Sequence, residues 1–380
     1  MADMATVVCK APINMAVLKY WGKRDENLIL PLHDSLSATL HIECMASSIT
    51  VTASNQFDQD QMTLNGKVVE MKGNARLQAV IQGCRAIAGP APESLGGDWS
   101  RIKLHLECSN DFPTAAGLAS SASGYACLTA ALSELYHCKE AYPGQLSAIA
   151  RQGSGSACRS MYGGFVEWMA GSAADGRDSI AVQIAPESHW AQMRVLILVV
   201  SVGEKATGSS IGMQRSTSTS TLLPHRSAEI VPKRIRALSS AIVERDFQSF
   251  AELTMKDSNQ FHAICADSFP PIFYLNSTSH AIIDAVHKFN EAAGGLVAAY
   301  TFDAGPNACI FTLDQNLGKL SQYLLDRFCP IAKFGEFVHD PLSLCPLPPT
   351  LNSALFINDS RVNRMIITKV GPGPIARHIA

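Results

Sequence analysis

"NDFPTAAGLASSASGYACL", residues 110–128, is the stretch on which the reading of this chain turns. It follows a strand pattern, because "RIKLHLEC" (101–108) places Ile102, Leu104, Leu106 and Cys108 on one face. It runs into a helical pattern from Ser120 to Tyr136. Between the two lie small residues around Gly117. A strand entering a helix through such a turn exposes backbone N–H groups, and the helix N-terminus adds partial positive charge, so the turn suits an anion. A plainer reading stays open: a tight helix entry capped by Ser120 and Ser121. The lysine of a GxxxxGK[ST] loop is missing throughout the chain, which excludes that kind of nucleotide site.

Working outward, 380 residues exceed one ordinary core and predict two domains. The 47% hydrophobic content describes a globular protein. Lys+Arg 31 against Asp+Glu 33 gives a net charge of -2 and no basic stripe, so no nucleic-acid partner is expected. The 11 cysteines include no CxxC pair and no zinc-like spacing, which predicts reduced, buried thiols, no metal-ligand set and a cytoplasmic setting. The longest apolar run, "VLILVV" (195–200), is too short to cross a membrane. The start of the chain, with Asp3, Lys10 and Pro12, lacks the apolar core of a secretory signal.

The first half reads as strand-rich, with a hairpin at Asn65-Gly66 and a helix burying Leu77, Val80, Ile81 and Cys84. Near residue 190 the pattern changes. "MRVLILVVS" (193–201) reads as a buried strand, followed by helices near 231–245, 247–265 and 277–290. Short strands flank "DAGPN", and "MIITKVG" adds another. Helices over an antiparallel sheet predict an α+β fold, divided into residues 1–190 and 191–380. The cluster "STSTSTLL" (216–223) reads as a mobile surface loop.

Three further segments carry chemistry. In "APINMAVLKYWGKRDE" (11–26), Lys19, Trp21 and Lys23 share a face if the run is extended, which suits a polyanion; solvated lysines at a strand end are the plainer alternative. In "RQGSGSACRSMYGG" (151–164), Arg159 offers a planar fork for a carboxylate or phosphate beside glycines that allow close approach; a Gly-rich loop after a helix is the alternative. In "YTFDAGPNA" (300–308), Asp303 ends an apolar strand, where either a turn residue or a base can sit.

Taken in this order, and with "PLHDSLSATL", "LTMKDSNQFHA" and "VGPGP", these segments resemble the diphosphomevalonate decarboxylase family of the GHMP kinase superfamily. "YWGK" and "SGSACR" carry the specific part of the resemblance. The resemblance implies a two-domain α/β sandwich, with a ribosomal protein S5 domain 2-like N-terminal half and a ferredoxin-like C-terminal half. The active site would lie between them, in a homodimer. It implies ATP and Mg²⁺ as cofactors and mevalonate 5-diphosphate as substrate. The products would be isopentenyl diphosphate, CO₂, ADP and phosphate, in the mevalonate pathway of isoprenoid and sterol biosynthesis. The alternative is a related small-molecule kinase that phosphorylates without decarboxylating.

Residue by residue, the resemblance implies that Ala116, Gly117, Leu118, Ala119, Ser120 and Ser121 hold ATP. Tyr20, Trp21, Gly22, Lys23, Arg76, Ser154, Gly155, Ser156, Ala157, Cys158, Arg159 and Ser210 would hold the substrate. Ser210 stands where relatives carry Thr, which keeps the hydroxyl. Asp303, Lys19, Arg159 and Ser121 would be catalytic. His33, in "PLHDSLS", departs from the Asn of many relatives and raises a question about nucleotide affinity.

Overall fold

The structure, a computed structural model, describes residues 4–110, 120–200, 207–346, 350–357 and 361–379. Ala46–Ser54 alternates inward and outward side chains and lies in the middle of a six-stranded sheet. Its order is Ile375–Ile379, Met4–Pro12, Ala46–Ser54, Lys103–Asn110, Gln61–Leu64 and Lys67–Val69. Asn65 and Gly66 both take positive φ, 50° and 76°, as the two-residue hairpin requires. Two helices, Ala75–Ala86 and Ser120–Leu135, cover one face. The predicted stripe Leu77, Val80, Ile81 and Cys84 is buried there with Val51, Leu104 and Leu106, whereas Cys108 is only half-buried. Burial of this apolar area drives the helix onto the sheet.

A second sheet, antiparallel, orders Ala181–Ala185, Phe165–Trp168, Ser35–Thr39 and Asn14–Leu18. The last two strands are buried at every position. They share a core with the third sheet, whose order is Ala298–Phe302, Ala308–Leu313, Met193–Val200, Val362–Lys369 and Val338–His339. That core reaches from Ile13 to Val370, so the beginning and end of the chain are packed together. The strand Ile375–Ile379 then returns to pair with Met4–Pro12. Long helices, Val231–Glu244, Phe247–Asp267 and Ser277–Ala293, accompany the third sheet. The fold is mixed helix and sheet, as expected.

Two local expectations are corrected. The serine/threonine cluster is not a surface loop. It belongs to a helix, Ser209–Thr219, followed by a helical turn, Leu222–His225, and Ser216 is fully buried. The hydroxyls of Thr217, Ser218 and Thr219 donate to carbonyls four residues back, at 2.8, 2.9 and 2.7 Å, which lets such a sequence stay helical. Nor is 11–26 one extended run. The chain leaves the sheet after Leu18, turns at Gly22 with φ of 93°, and resumes as a short strand at Lys23–Asp25.

Candidate active site

Lys19 emerges directly beyond the Asn14–Leu18 strand, and Asp303 directly beyond Ala298–Phe302. The Lys19 Nζ lies 2.5 Å from Asp303 Oδ1. The ammonium is buried and the carboxylate is 29% exposed, facing a cleft. The cleft has a volume of about 500 Å³. Among the described residues four cations line it, Lys19, Lys23, Arg76 and Arg159, against one carboxylate, Asp303. The hydroxyls of Ser120, Ser121, Ser154, Ser156, Ser209 and Ser210 add donors, and Trp21, Met213 and Phe261 an apolar wall. Such a lining suits a small polyanion.

Arg159 is the least expected part of this wall. It lies in a 3₁₀ helix, Gly155–Met161, rather than a loop, and is 2% exposed. Its guanidinium donates to Ser35 Oγ at 2.5 Å, Ser37 Oγ at 3.0 Å and Asn14 Oδ1 at 3.3 Å. All three partners are neutral, and among the described residues no carboxylate pairs with it. Burial lowers its pKa, yet a guanidinium keeps its proton. A buried cation with neutral partners is costly unless an anion completes it.

Tyr20 packs on Trp168, ring centroids 4.6 Å apart, and its buried hydroxyl has no partner among the described residues. Burial, more than the nearby Glu26 charge, pushes that phenol far above its usual range. Gly155 is required here: a Cβ would stand 2.8 Å from Trp168 and 3.0 Å from Tyr20. Trp21 packs against Phe261 and donates its Nε1–H to Ser216 Oγ at 2.8 Å. Lys23, expected at a solvated strand end in the plainer reading, is buried and paired with Glu26 at 2.5 Å. Ser121 and Ser154 hydroxyls meet at 3.2 Å, joining the helix of the opening stretch to the Gly-rich segment.

Three anticipated positions stand behind the wall. Ala157 belongs to the N-terminal core, Cys158 packs with Trp168, and a Cβ on Gly22 would strike Leu32. None of the three lines the cleft. Ala116, Gly117, Leu118 and Ala119 lie outside the described residues. His33 is buried away from the cleft, with Nδ1 2.8 Å from the Asp34 carbonyl. Burial, then the Arg226 charge, lowers its pKa to about 4.

The sequence reading missed Asn14 and Asp257. Asn14 lines the cleft and donates to Ser160 Oγ at 2.8 Å and the Ser156 carbonyl at 3.0 Å. Its trace in the sequence is an amide inside an otherwise apolar strand. Asp257, fully buried, accepts the Lys19 backbone N–H at 2.7 Å. Burial alone would raise its pKa, but the Arg226 and Arg234 guanidiniums outweigh that and hold it below the usual range. Among the described residues no cluster of three His, Cys, Asp or Glu can hold a metal, and no helix is long and apolar enough to cross a membrane. All 11 cysteines are free thiols.

Known proteins resemble this chain over nearly its whole length. The family described as "Diphosphomevalonate decarboxylase-like N-terminal domain" matches residues 11–181. "Mevalonate 5-diphosphate decarboxylase C-terminal domain" matches residues 195–377. The diphosphomevalonate decarboxylase of Rattus norvegicus is 51% identical over 376 residues, 97% of this chain and 92% of its own length. That of Homo sapiens is 50% identical over 378 residues, 98% and 93%. The solved mevalonate diphosphate decarboxylase from Trypanosoma brucei superposes with a TM-score of 0.86 at 35% identity, covering 99% of this chain and 98% of that one. MDDEF in complex with MVAPP, AMPPCP and magnesium gives 0.77 at 28%, covering 99% and 100%.

Proposed function

The chain belongs to the diphosphomevalonate decarboxylase family, and we propose that its cleft couples ATP to the decarboxylation of mevalonate 5-diphosphate. The observation that carries this reading is Arg159, a buried guanidinium on the cleft wall whose hydrogen-bond partners among the described residues are all neutral. It would receive the substrate carboxylate through its planar fork. Lys23, Arg76, Tyr20, Trp21, Ser154, Ser156 and Ser210 would hold the remainder of the substrate, its diphosphate above all, with Gly155 allowing Tyr20 its position.

The tertiary alcohol would then lie between these ends, near Asp303. Asp303 orients that hydroxyl and accepts its proton as the oxygen attacks the γ-phosphorus and the bond to ADP breaks. Lys19 holds the carboxylate in place and adds positive charge beside the phosphates. The new C–O–phosphate bond breaks next. The electron pair of the carbon–carboxylate bond forms the double bond, releasing CO₂ and phosphate and leaving isopentenyl diphosphate. Positive charge developing at that carbon would be stabilised by the negative oxygens of the departing phosphate.

The 116–121 segment would cradle the ATP phosphates through backbone amides, with Ser120 and Ser121 hydroxyls at the helix start. Mg²⁺ would neutralise phosphate charge there. The donor set fits: hydroxyls and, among the described residues, no acidic cage, so the ion would arrive held by phosphate oxygens and water.

The finer architecture belongs to the same proposal: an S5 domain 2-like half over 1–190 and a ferredoxin-like half over 191–380. Family matches ending at 181 and resuming at 195 support the division. A homodimer in the cytoplasm completes the proposal, and the free thiols suit a reducing compartment.

The test compares two ligands by calorimetric titration. Mevalonate 5-diphosphate and isopentenyl diphosphate share the diphosphate, but only the first has a carboxylate. Arg159→Lys weakens the first at least tenfold and leaves the second nearly unchanged. Equal weakening of both would contradict the carboxylate assignment.

A further inference from the structure

We propose that Asp257 and Ser258, adjacent on the Phe247–Asp267 helix, together with Arg226, are positioning residues that hold Lys19 and Asp303 in register. This rests on the reading of Lys19 and Asp303 as reacting groups. Neither main-chain group of Lys19 is satisfied by a sheet. Its N–H donates to Asp257 Oδ2 at 2.7 Å, and its carbonyl accepts from Arg226 Nη2 at 3.1 Å. The other partner is gripped one step along. Ser258 Oγ accepts the N–H of Phe302, the residue before Asp303, at 3.1 Å. One helix therefore touches the chain at both ends of the Lys19–Asp303 pair.

The clamp is built of buried charge. Arg226 donates to Asp257 Oδ1 and Oδ2 at 2.7 and 3.1 Å, and Arg234 to Oδ1 at 2.7 Å. Arg226 and Asp257 are completely inaccessible to solvent. A buried ion pair is a poor way to gain stability, because desolvation offsets attraction and apolar replacement is often neutral. Rigid placement is what it supplies here, since the carboxylate and guanidinium have fixed bond directions. Arg226 also opens a π-helical turn, Arg226–Ile230, a geometry that concentrates at functional positions. Reacting groups tolerate displacements of only about 0.5 Å, and an error of about 1 Å can cost on the order of 100-fold in rate.

The test is a double-mutant cycle on turnover in the full-length enzyme. Asp257→Asn lowers kcat roughly 10- to 100-fold and Ser258→Ala several-fold, while KM for mevalonate 5-diphosphate changes less than about twofold. In a Lys19→Ala background, adding Asp257→Asn lowers kcat by less than about twofold, because the group it positions is gone. Multiplicative losses in that background, or wild-type kcat in folded Asp257→Asn, would overturn the proposal. If Asp257→Asn does not fold, Arg226→Lys takes its place: it keeps the charge facing Asp257 and loses the second nitrogen that reaches the Lys19 carbonyl. Wild-type turnover in Lys19→Ala alone would instead remove the reading of Lys19, and this proposal with it.

Discussion

Lys19 and Asp303 are 284 positions apart in the chain and 2.5 Å apart in space. Each stands just past the end of a buried strand, one from each half of the molecule. The pair exists only when the two sheets that carry these strands are packed together, so chemistry and folding are tied at this contact. Removing the charge of Asp303 while keeping its size separates the two. Asp303→Asn lowers turnover by about 10²–10⁴-fold, the usual range for a general base, while ATP binding survives. Steady-state kinetics beside a nucleotide-binding titration checks this, and near-normal turnover would remove Asp303 from the mechanism.

The Gly153 position tests the packing beneath the substrate wall. A Cβ there, at the end of the Gln145–Gly153 helix, would lie 2.2 Å from the ring of Tyr125, a partly buried residue of the Ser120–Leu135 helix. Gly153→Ala is expected to destabilise the protein by about 1–3 kcal/mol through overpacking. Urea denaturation measures it; an unchanged midpoint would mean that the two helices are free to separate.

Trp21 is held by a hydrogen bond that its aromatic neighbours do not replace. Trp21→Phe keeps most of the contact with Phe261 but drops the donor to Ser216, which retains Ser268 at 2.7 Å. The expected cost is about 1 kcal/mol in stability. KM for the substrate rises more than kcat falls, because Trp21 forms apolar cleft wall and its indole N–H is directed to Ser216. A kcat-dominated effect would place Trp21 closer to the chemistry than its geometry allows.

Acid should unfold the protein through buried histidines. Burial holds His33 at a pKa of about 4 and His262 at about 3, against an ordinary 6.5. Between those values the unfolded chain binds protons that the folded one refuses, so stability rises with pH. The contribution is complete above pH 6.5 and is lost as pH falls toward 4 and then 3. His33→Asn removes one of these groups and flattens the melting temperature between pH 6.5 and 4. An identical pH dependence in variant and wild type would contradict the assignment.

Much of this fold could be read before any coordinates. The stripe of Leu77, Val80, Ile81 and Cys84, the Asn65-Gly66 hairpin and the 193–200 strand are local patterns with local causes. Cleft residues such as Arg159 and Asp303 stood out because charge is rare among small or apolar neighbours. The helix at 209–219 was hidden because serine and threonine favour loops unless their hydroxyls bond back along the helix, as these do. Asp257 and Arg226 were hidden for a different reason. Their partner, Lys19, is 238 and 207 residues away, and no local pattern records such a pairing. Asn14 looked like one more strand residue until Arg159 and Ser160 were found beside it.

The most direct test of the account follows both products of one turnover. Mevalonate 5-diphosphate labelled at its carboxylate carbon is supplied with ATP and Mg²⁺, and ADP and labelled CO₂ are measured together. The account predicts that the two appear at equal rates and in equal amounts. ADP without CO₂ would contradict it, and would mean that the cleft phosphorylates the alcohol and stops there.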